Sequence, residues 1–246
     1  MISSEPNRIY EDPALRPRED DPVRPGGLEL TRRAVALSGL RPGSVVLDIG
    51  CGAGAAVRYL NDSCALRAIG IDLSSIPSAE RRREVPGILF VRASGLCLPF
   101  SDAVMDAVLA ECSLSLMGNL DKALNECSRV LKPGGSLLVH DLFMQDRHAG
   151  AKIKSPAGCR LTGVIMIREW IEKLEGGGFS VAFWEDHTRA LKEFAARLIF
   201  SHGSLEAFWP GARSADGMEQ AGEIHYGASS ANPGYFLAVA KKSKKE

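Results

Sequence analysis

The sequence predicts an α/β fold built on a mostly parallel sheet. Two observations carry that prediction. Apolar runs of strand type alternate with amphipathic stretches from residue 28 to residue 142, the pattern of strands joined by helical crossovers. The first run, Val45-Val46-Leu47-Asp48-Ile49, leads into Gly50-Cys51-Gly52-Ala53-Gly54 and then into the helix-like Ala55-Ala56-Val57-Arg58-Tyr59-Leu60. A strand, a loop with glycine at every second position and a helix bring backbone very close to a ligand and point a helix N-terminus at it.

The elements follow in order. Residues 1–27 hold many of the prolines and form an N-terminal arm. Residues 28–40 read as a helix whose Leu30, Ala34 and Leu37 share one face, stopped by Gly39 and Pro42. Strand one is 45–49 and its helix runs over about 53–61. Strand two is 68–72, a short charged helix spans 78–85, strand three is 88–92 and strand four is 104–110. A helix over 119–130 precedes a turn at Lys132-Pro133-Gly134-Gly135, and strand five is 136–141. Residues 143–163 are polar and glycine-containing. Residues 167–176 read as a helix and 179–184 as a strand. A helix over 188–202 carries a stripe of Leu191, Phe194, Ala195 and Leu198. Residues 203–232 read as loop-rich. There is no internal repeat and no low-complexity tract.

Composition narrows the function. The 246 residues carry 30 Lys plus Arg and 30 Asp plus Glu, so the formal net charge is zero. No global field draws such a chain onto nucleic acid or an anionic membrane. The basic tail Lys241-Lys242-Ser243-Lys244-Lys245 reads as a solvated end. No apolar run approaches the length of a membrane span, and the polar, Pro-rich start lacks the apolar centre of a signal peptide. Six cysteines without a framework and without a C-x-x-C pair fit a reducing cytoplasm and argue against a structural zinc site. The expectation is a cytoplasmic protein with no metal.

The chemistry is read from the strand ends. Gly50, Gly52 and Ala55 fit the dinucleotide pattern G-x-G-x-x-G/A, so an NAD(P)-dependent oxidoreductase stands as an alternative. Asp48 opposes it. A carboxylate at the mouth of the loop repels a pyrophosphate and suits a ligand that carries an ammonium group and a sulfonium. S-adenosylmethionine carries both. The second apolar run, Ala68-Ile69-Gly70-Ile71, ends in Asp72, where a ribose would be held. Cys51, inside the loop, reads as compact packing. Strand four delivers Glu111 and Cys112. Glu111 either holds loop or ligand donors or takes a proton as a general base. Cys112 either fills space or binds a soft acceptor. His140-Asp141 closes strand five on the same rim.

Four further segments sharpen the reading: Leu98-Pro99-Phe100; Met105-Asp106-Ala107-Val108-Leu109-Ala110; Arg129-Val130-Leu131-Lys132-Pro133-Gly134-Gly135; and Ser136-Leu137-Leu138-Val139. In this order they resemble the class I S-adenosylmethionine-dependent methyltransferases, particularly the small-molecule enzymes with LPF and RVLKPGG segments. The resemblance covers residues 28–142 and resumes in Gly178-Phe179 and Gly234-Tyr235-Phe236-Leu237-Ala238-Val239-Ala240. It implies a Rossmann-like seven-stranded sheet whose last strand, residues 235–240, is antiparallel, with helices on both faces. It implies a cofactor site of Asp48, Gly50, Cys51, Gly52, Gly54, Asp72, Leu73, Ser94, Gly95, Leu96 and Glu111, with Leu73 packing on the adenine. Ser94 stands where the family usually has an Asp that accepts from the adenine amino group. It also implies methyl transfer to a small-molecule acceptor, held by Cys112 and by cap elements within 142–232. The arm, with Tyr10, Arg16, Arg24 and Gly26-Gly27, reads either as a lid over the cofactor or as an exposed leader. A non-catalytic S-adenosylmethionine-binding module is the other alternative.

Overall fold

A computed structural model describes residues 22–73, 88–145, 164–202 and 233–243. Helix α1 (Gly27–Ser38) precedes β1 (Val45–Ile49), α2 (Ala55–Cys64), β2 (Arg67–Asp72), β3 (Leu89–Arg92) and β4 (Met105–Glu111). After a 3-10 turn at Leu114–Leu116 come α3 (Leu120–Val130), β5 (Leu131–Met144), α4 (Ile167–Gly176), β6 (Phe179–Asp186), α5 (Thr188–His202) and β7 (Pro233–Lys242). The expected charged helix at 78–85, the loop-rich 203–232, most of the polar 143–163, and Tyr10 and Arg16 of the arm lie outside the described residues.

The strands form one seven-stranded sheet in the order β3-β2-β1-β4-β5-β7-β6. The pairs β1–β2, β1–β4, β2–β3 and β4–β5 are parallel. β7 runs antiparallel to both β5 and β6. It is the one reversed strand, as the family resemblance implies.

Alternation along the strands separates two cores. Leu47, Ile49, Val108, Ala110, Leu137 and Val139 pack under α3 and α4, with Leu124, Cys127, Trp170 and Leu174. Val46, Ala107, Leu109 and Leu138 pack under α1 and α2, with Leu30, Ala34, Val57 and Leu60, and Leu191 of α5 joins them. Burying apolar area on both faces is what makes the central strands read as nearly continuous hydrophobic runs. Trp170 is fully buried and donates its indole N–H to the Leu142 carbonyl at 3.1 Å. Phe236 stacks on Trp184 with ring centroids 4.1 Å apart and meets Trp170 edge-on at 5.1 Å.

Two boundaries differ from the sequence reading. The turn at residues 132–135 does not precede β5 but interrupts it. Leu131 pairs with Met105 and Ser136 pairs with Ala107, so the four residues 132–135 bulge out opposite the single Asp106. Gly135 is required there, because a Cβ would come within 2.9 Å of the Lys132 carbonyl and 3.1 Å of the Asp106 carbonyl. Along α1 the residues that go under are Leu30, Thr31, Ala34 and Ser38, with Leu37 only half-buried. The shift by one position places a polar threonine on the inner face.

The LPF and RVLKPGG segments turn out to be one clamp. The Arg129 guanidinium donates to the carbonyls of Leu98 (2.9 Å) and Phe100 (2.7 Å). It also pairs with Glu126 and Asp102. Glu126 in turn accepts the Leu98 amide at 2.6 Å. The planar fork suits this, since one head serves two carbonyls and two carboxylates. Arg129→Ala is expected to lower stability by roughly 2–3 kcal/mol, the range for hydrogen bonds to charged groups. Arg129→Lys should recover less than half of that loss, because a point charge cannot span the set. Urea unfolding of the three proteins checks it; equal midpoints for Arg129→Lys and the unaltered protein would remove the clamp.

Candidate active site

The site lies at the carboxyl ends of β1, β2, β4 and β5, where the sheet order reverses around β1. The glycine loop leaves β1 by donating two amides, Gly50 N–H (2.8 Å) and Cys51 N–H (3.0 Å), to the carbonyl of Ile71 on β2. Gly50, Gly52 and Gly54 all take left-handed conformations, with φ of 76°, 50° and 82°. A Cβ at Gly54 would strike the Phe90 ring at 2.5 Å, whereas one at Gly52 would meet nothing within 4 Å. Gly54 is therefore needed by the fold, and Gly52 leaves an open face. Asp72 Oδ2 accepts the Gly52 N–H at 2.8 Å, so the second strand's acid sets the loop's shape. Cys51 Sγ packs over Gly70, where a Cβ would sit only 2.8 Å from it, in keeping with a packing role.

Beneath α1 lies a buried charge cluster. Asp48 is 2% exposed and Glu111 7%. Arg24 reaches in from the chain before α1. Its Nη2 lies 2.6 Å from Glu111 Oε2 and donates to Thr31 Oγ1 at 2.7 Å. The Thr31 hydroxyl in turn donates a hydrogen bond to Glu111 Oε1 at 2.8 Å. His140, wholly buried and in register with Glu111 across β4 and β5, places Nδ1 2.9 Å from the same Oε1. Burial pushes Glu111 upward, but Arg24, His140 and Thr31 together hold it below the usual carboxylate range. Asp48 goes the other way. Burial, and then the Glu111 charge, raise it well above that range against the pull of Arg24.

Cys112 follows Glu111 in a left-handed conformation, φ 52°, which strains a residue with a Cβ. Its amide donates to the His140 carbonyl at 2.7 Å, and its Sγ lies 3.1 Å from the Tyr235 hydroxyl. Burial pushes the thiol up to about 12, which favours its protonated form. Asp141 faces the opposite side of the sheet. It accepts the Ser115 and Leu142 amides, both within 2.9 Å, and burial raises it to about 6.

The remaining predicted residues line the β2–β3 side. Leu73 is 62% exposed beyond Asp72. Ser94 Oγ accepts the Leu96 amide at 3.2 Å, and Gly95 packs against Met117, whose Sδ and Cε would lie 2.6 Å from a Cβ. Thr31 and Tyr235 are site residues that the sequence reading did not single out. The signal for Thr31 was its place on the inner stripe with Ala34 and Ser38. Among the described residues no group of His, Cys, Asp and Glu is arranged to hold a metal.

Residues 47–139 match the family model described as a methyltransferase domain. By that segment the chain is similar to the class I S-adenosylmethionine-dependent methyltransferases. It is 35% identical over 144 residues to phthiotriol/phenolphthiotriol dimycocerosates methyltransferase 1 of Mycobacterium ulcerans, covering 57% of this chain and 46% of that one. It is 37% identical over 120 residues to demethylmenaquinone methyltransferase of Corynebacterium kroppenstedtii, covering 48% and 51%. The chain thus spans about half the length of the curated relatives it matches. Among solved structures, the [4+2]-cyclase SpnF is similar at 26% identity and a TM-score of 0.65, over 88% of this chain and 81% of that one. Haemonchus contortus phosphoethanolamine N-methyltransferase 2, in complex with S-adenosyl-L-methionine, shares the fold with a TM-score of 0.70 at 21% identity, over 89% and 54%.

The two buried acids titrate in opposite directions, which gives signs to the pH dependence of stability. Glu111, depressed in the fold, contributes stability above its unfolded pKa that is lost as pH falls through the folded value. Asp48, raised in the fold, contributes stability that is full below its unfolded pKa and lost as pH rises through the folded one. Asp48→Asn should therefore raise the thermal midpoint at neutral pH, with the gain shrinking toward pH ~4, the ordinary aspartate range. Arg24→Gln should cost about 3–5 kcal/mol by stranding Glu111, with partial recovery in the double variant Arg24→Gln/Glu111→Gln. Thermal scans across pH test both signs; a midpoint for Asp48→Asn that gains nothing at neutral pH contradicts the first.

Proposed function

We propose that the chain transfers the sulfonium methyl group of S-adenosylmethionine to a small-molecule acceptor. The observation that carries this is the buried acid pair, Asp48 and Glu111, with Arg24 as its cation, beside a glycine loop open at Gly52. Asp48 keeps an unbalanced negative potential there, which suits a cationic ligand and repels a dinucleotide's pyrophosphate. Four buried polar atoms also lack a hydrogen-bond partner among the described residues: Arg24 Nε, Ser113 Oγ and the two ring nitrogens of His140. A ligand bearing carboxylate and ammonium groups would satisfy such atoms.

On this reading Asp48, Arg24 and Ser113 hold the amino-acid end of the cofactor, with Glu111 keeping Arg24 in place. Asp72 holds the ribose. Leu73 packs on the adenine beside the turn of Ser94, Gly95 and Leu96. Bound S-adenosylmethionine supplies an already activated methyl group. The chain's own contribution is alignment and exclusion of water, with orientation alone supplying up to ~7–11 kcal/mol of barrier reduction. Cys112 and Tyr235 fix the backbone after β4, which sets one wall of the acceptor side. Acceptor selectivity then falls to the N-terminal arm and residues 142–232. No helix among the described residues is long and apolar enough to cross a membrane. The scattered cysteines support a cytoplasmic setting.

The likeness to SpnF favours one second reading, in which the same fold promotes a reaction other than methyl transfer. Incubation with a cell extract and methyl-labelled donor separates the two. Labelled small molecules support the proposal; tight cofactor binding without label supports the second reading.

The cofactor residues carry their own expectation. Asp72→Ala should weaken S-adenosylmethionine and S-adenosylhomocysteine equally, by roughly 1.5–3 kcal/mol, since both present the same ribose. Gly52→Val should abolish binding because its side chain enters the open face, and since a φ of 50° also strains a β-branched residue, a thermal midpoint measured beside it separates lost binding from lost folding. Titration calorimetry decides, and unchanged affinity in either variant takes that residue out of the site.

A further inference from the structure

Glu111 is the acid nearest the expected reacting centre, yet its oxygens already serve Arg24, Thr31 and His140. A carboxylate held ionised by a guanidinium at 2.6 Å is a weak proton acceptor. Its neighbour His140 is the reverse case. The ring has no solvent exposure, and neither nitrogen makes an aligned hydrogen bond among the described residues. Nδ1 nevertheless faces Glu111 Oε1 at 2.9 Å. A bare nitrogen lone pair turned toward a carboxylate is repelled, so the ring proton belongs on Nδ1. That leaves Nε2 as a buried acceptor with no donor, and leaving such an atom unsatisfied is unfavourable. Full burial keeps bulk water from supplying the donor, which leaves a bound ligand or an enclosed water to do so.

We propose that His140 Nε2 takes the proton from the methyl acceptor's O–H or N–H group, with Glu111 as the positioning residue that sets its tautomer. The inference rests on the methyl-transfer reading above. The acceptor's lone pair forms the new bond to the methyl carbon, and the C–S electron pair stays on sulfur. The acceptor's proton moves to Nε2, giving an imidazolium against the Glu111 carboxylate, and later leaves to solvent. One positive charge thus disappears at sulfur as another forms at His140, beside an anion already in place. Arg24 keeps that anion from competing for the proton. The acceptor class is accordingly a hydroxyl or protonated-nitrogen compound, rather than a carbon or metalloid nucleophile with no proton to lose.

The test combines 15N spectra of the imidazoles in the full chain with turnover, using His140→Gln to assign the signal. The expected result is Nδ1–H with a bare Nε2, unchanged on adding S-adenosylhomocysteine. Glu111→Gln should blur that preference. His140→Gln should bind S-adenosylhomocysteine within about twofold of the unaltered protein, while methyl labelling of extract compounds falls by ~10²–10⁴-fold, the range of general base catalysis. A proton on Nε2, or an Nε2 hydrogen bond formed with S-adenosylhomocysteine alone, overturns the proposal, the latter by making the cofactor the donor. Equal labelling by His140→Gln and the unaltered protein overturns it and leaves methyl transfer standing. No labelling by the unaltered protein removes both. The spectra come from the unaltered chain, so a misfolded His140→Gln still leaves a decision.

Discussion

Two acids end neighbouring strands on one face of the sheet, and both are buried. Arg24 is the cation that reaches them, delivered from outside the sheet by a turn at Gly26-Gly27 in which both glycines adopt left-handed conformations. Taking charges out of water costs several kcal/mol each, and one guanidinium shared with Glu111 offsets only part of it. Much of the site can be understood as a response to that imbalance. Thr31 is polar on an otherwise apolar stripe because Glu111 needs its proton. Asp48 is left strained toward neutrality. The fold keeps an unfavourable arrangement that protonation of Asp48 relieves and that a cationic ligand would relieve too, as expected where function and stability pull apart.

The architecture was legible where it is local. Strand β1, the glycine loop and the acid of β2 sit within one stretch of chain, and their chemistry follows from spacing alone. The helices 167–176 and 188–202 were equally plain because each has an apolar stripe of its own. What escaped the sequence is long-range. Nothing in Arg129 or in Leu98-Pro99-Phe100 says that one serves the other's carbonyls. The bulge at residues 132–135 exists only because β4 pairs on both sides of it. The cluster of Arg24, Thr31, Glu111 and His140 draws on four separate elements. Each was visible as a residue, but their meeting is a property of the folded sheet.

The same division bears on what distinguishes this chain from its relatives. The matched core, residues 47–139, contains the glycine loop and the acids Asp48, Asp72 and Glu111. The buried pair of Glu111 and His140 straddles the end of that match, and Arg24 lies before it. On the proposed reading, a common donor site is joined to groups that come from outside the shared segment, which is where acceptor chemistry is free to vary on one scaffold. The likeness to a cyclase makes the point concretely, since a shared sheet does not fix the reaction carried out above it.

The reversed strand β7 has a consequence for how the protein is made. It inserts between β5 and β6 and brings Tyr235 against Cys112. During synthesis from the N-terminus, every other strand of the sheet emerges first and leaves an edge of β5 and an edge of β6 unpaired until residue 242 is out. Such edges invite pairing with other chains. The nascent protein therefore passes through a stage in which the glycine loop has emerged, while Tyr235 is missing and two strand edges stand unpaired. Selection on this chain would act on the speed of that last insertion as well as on the finished site.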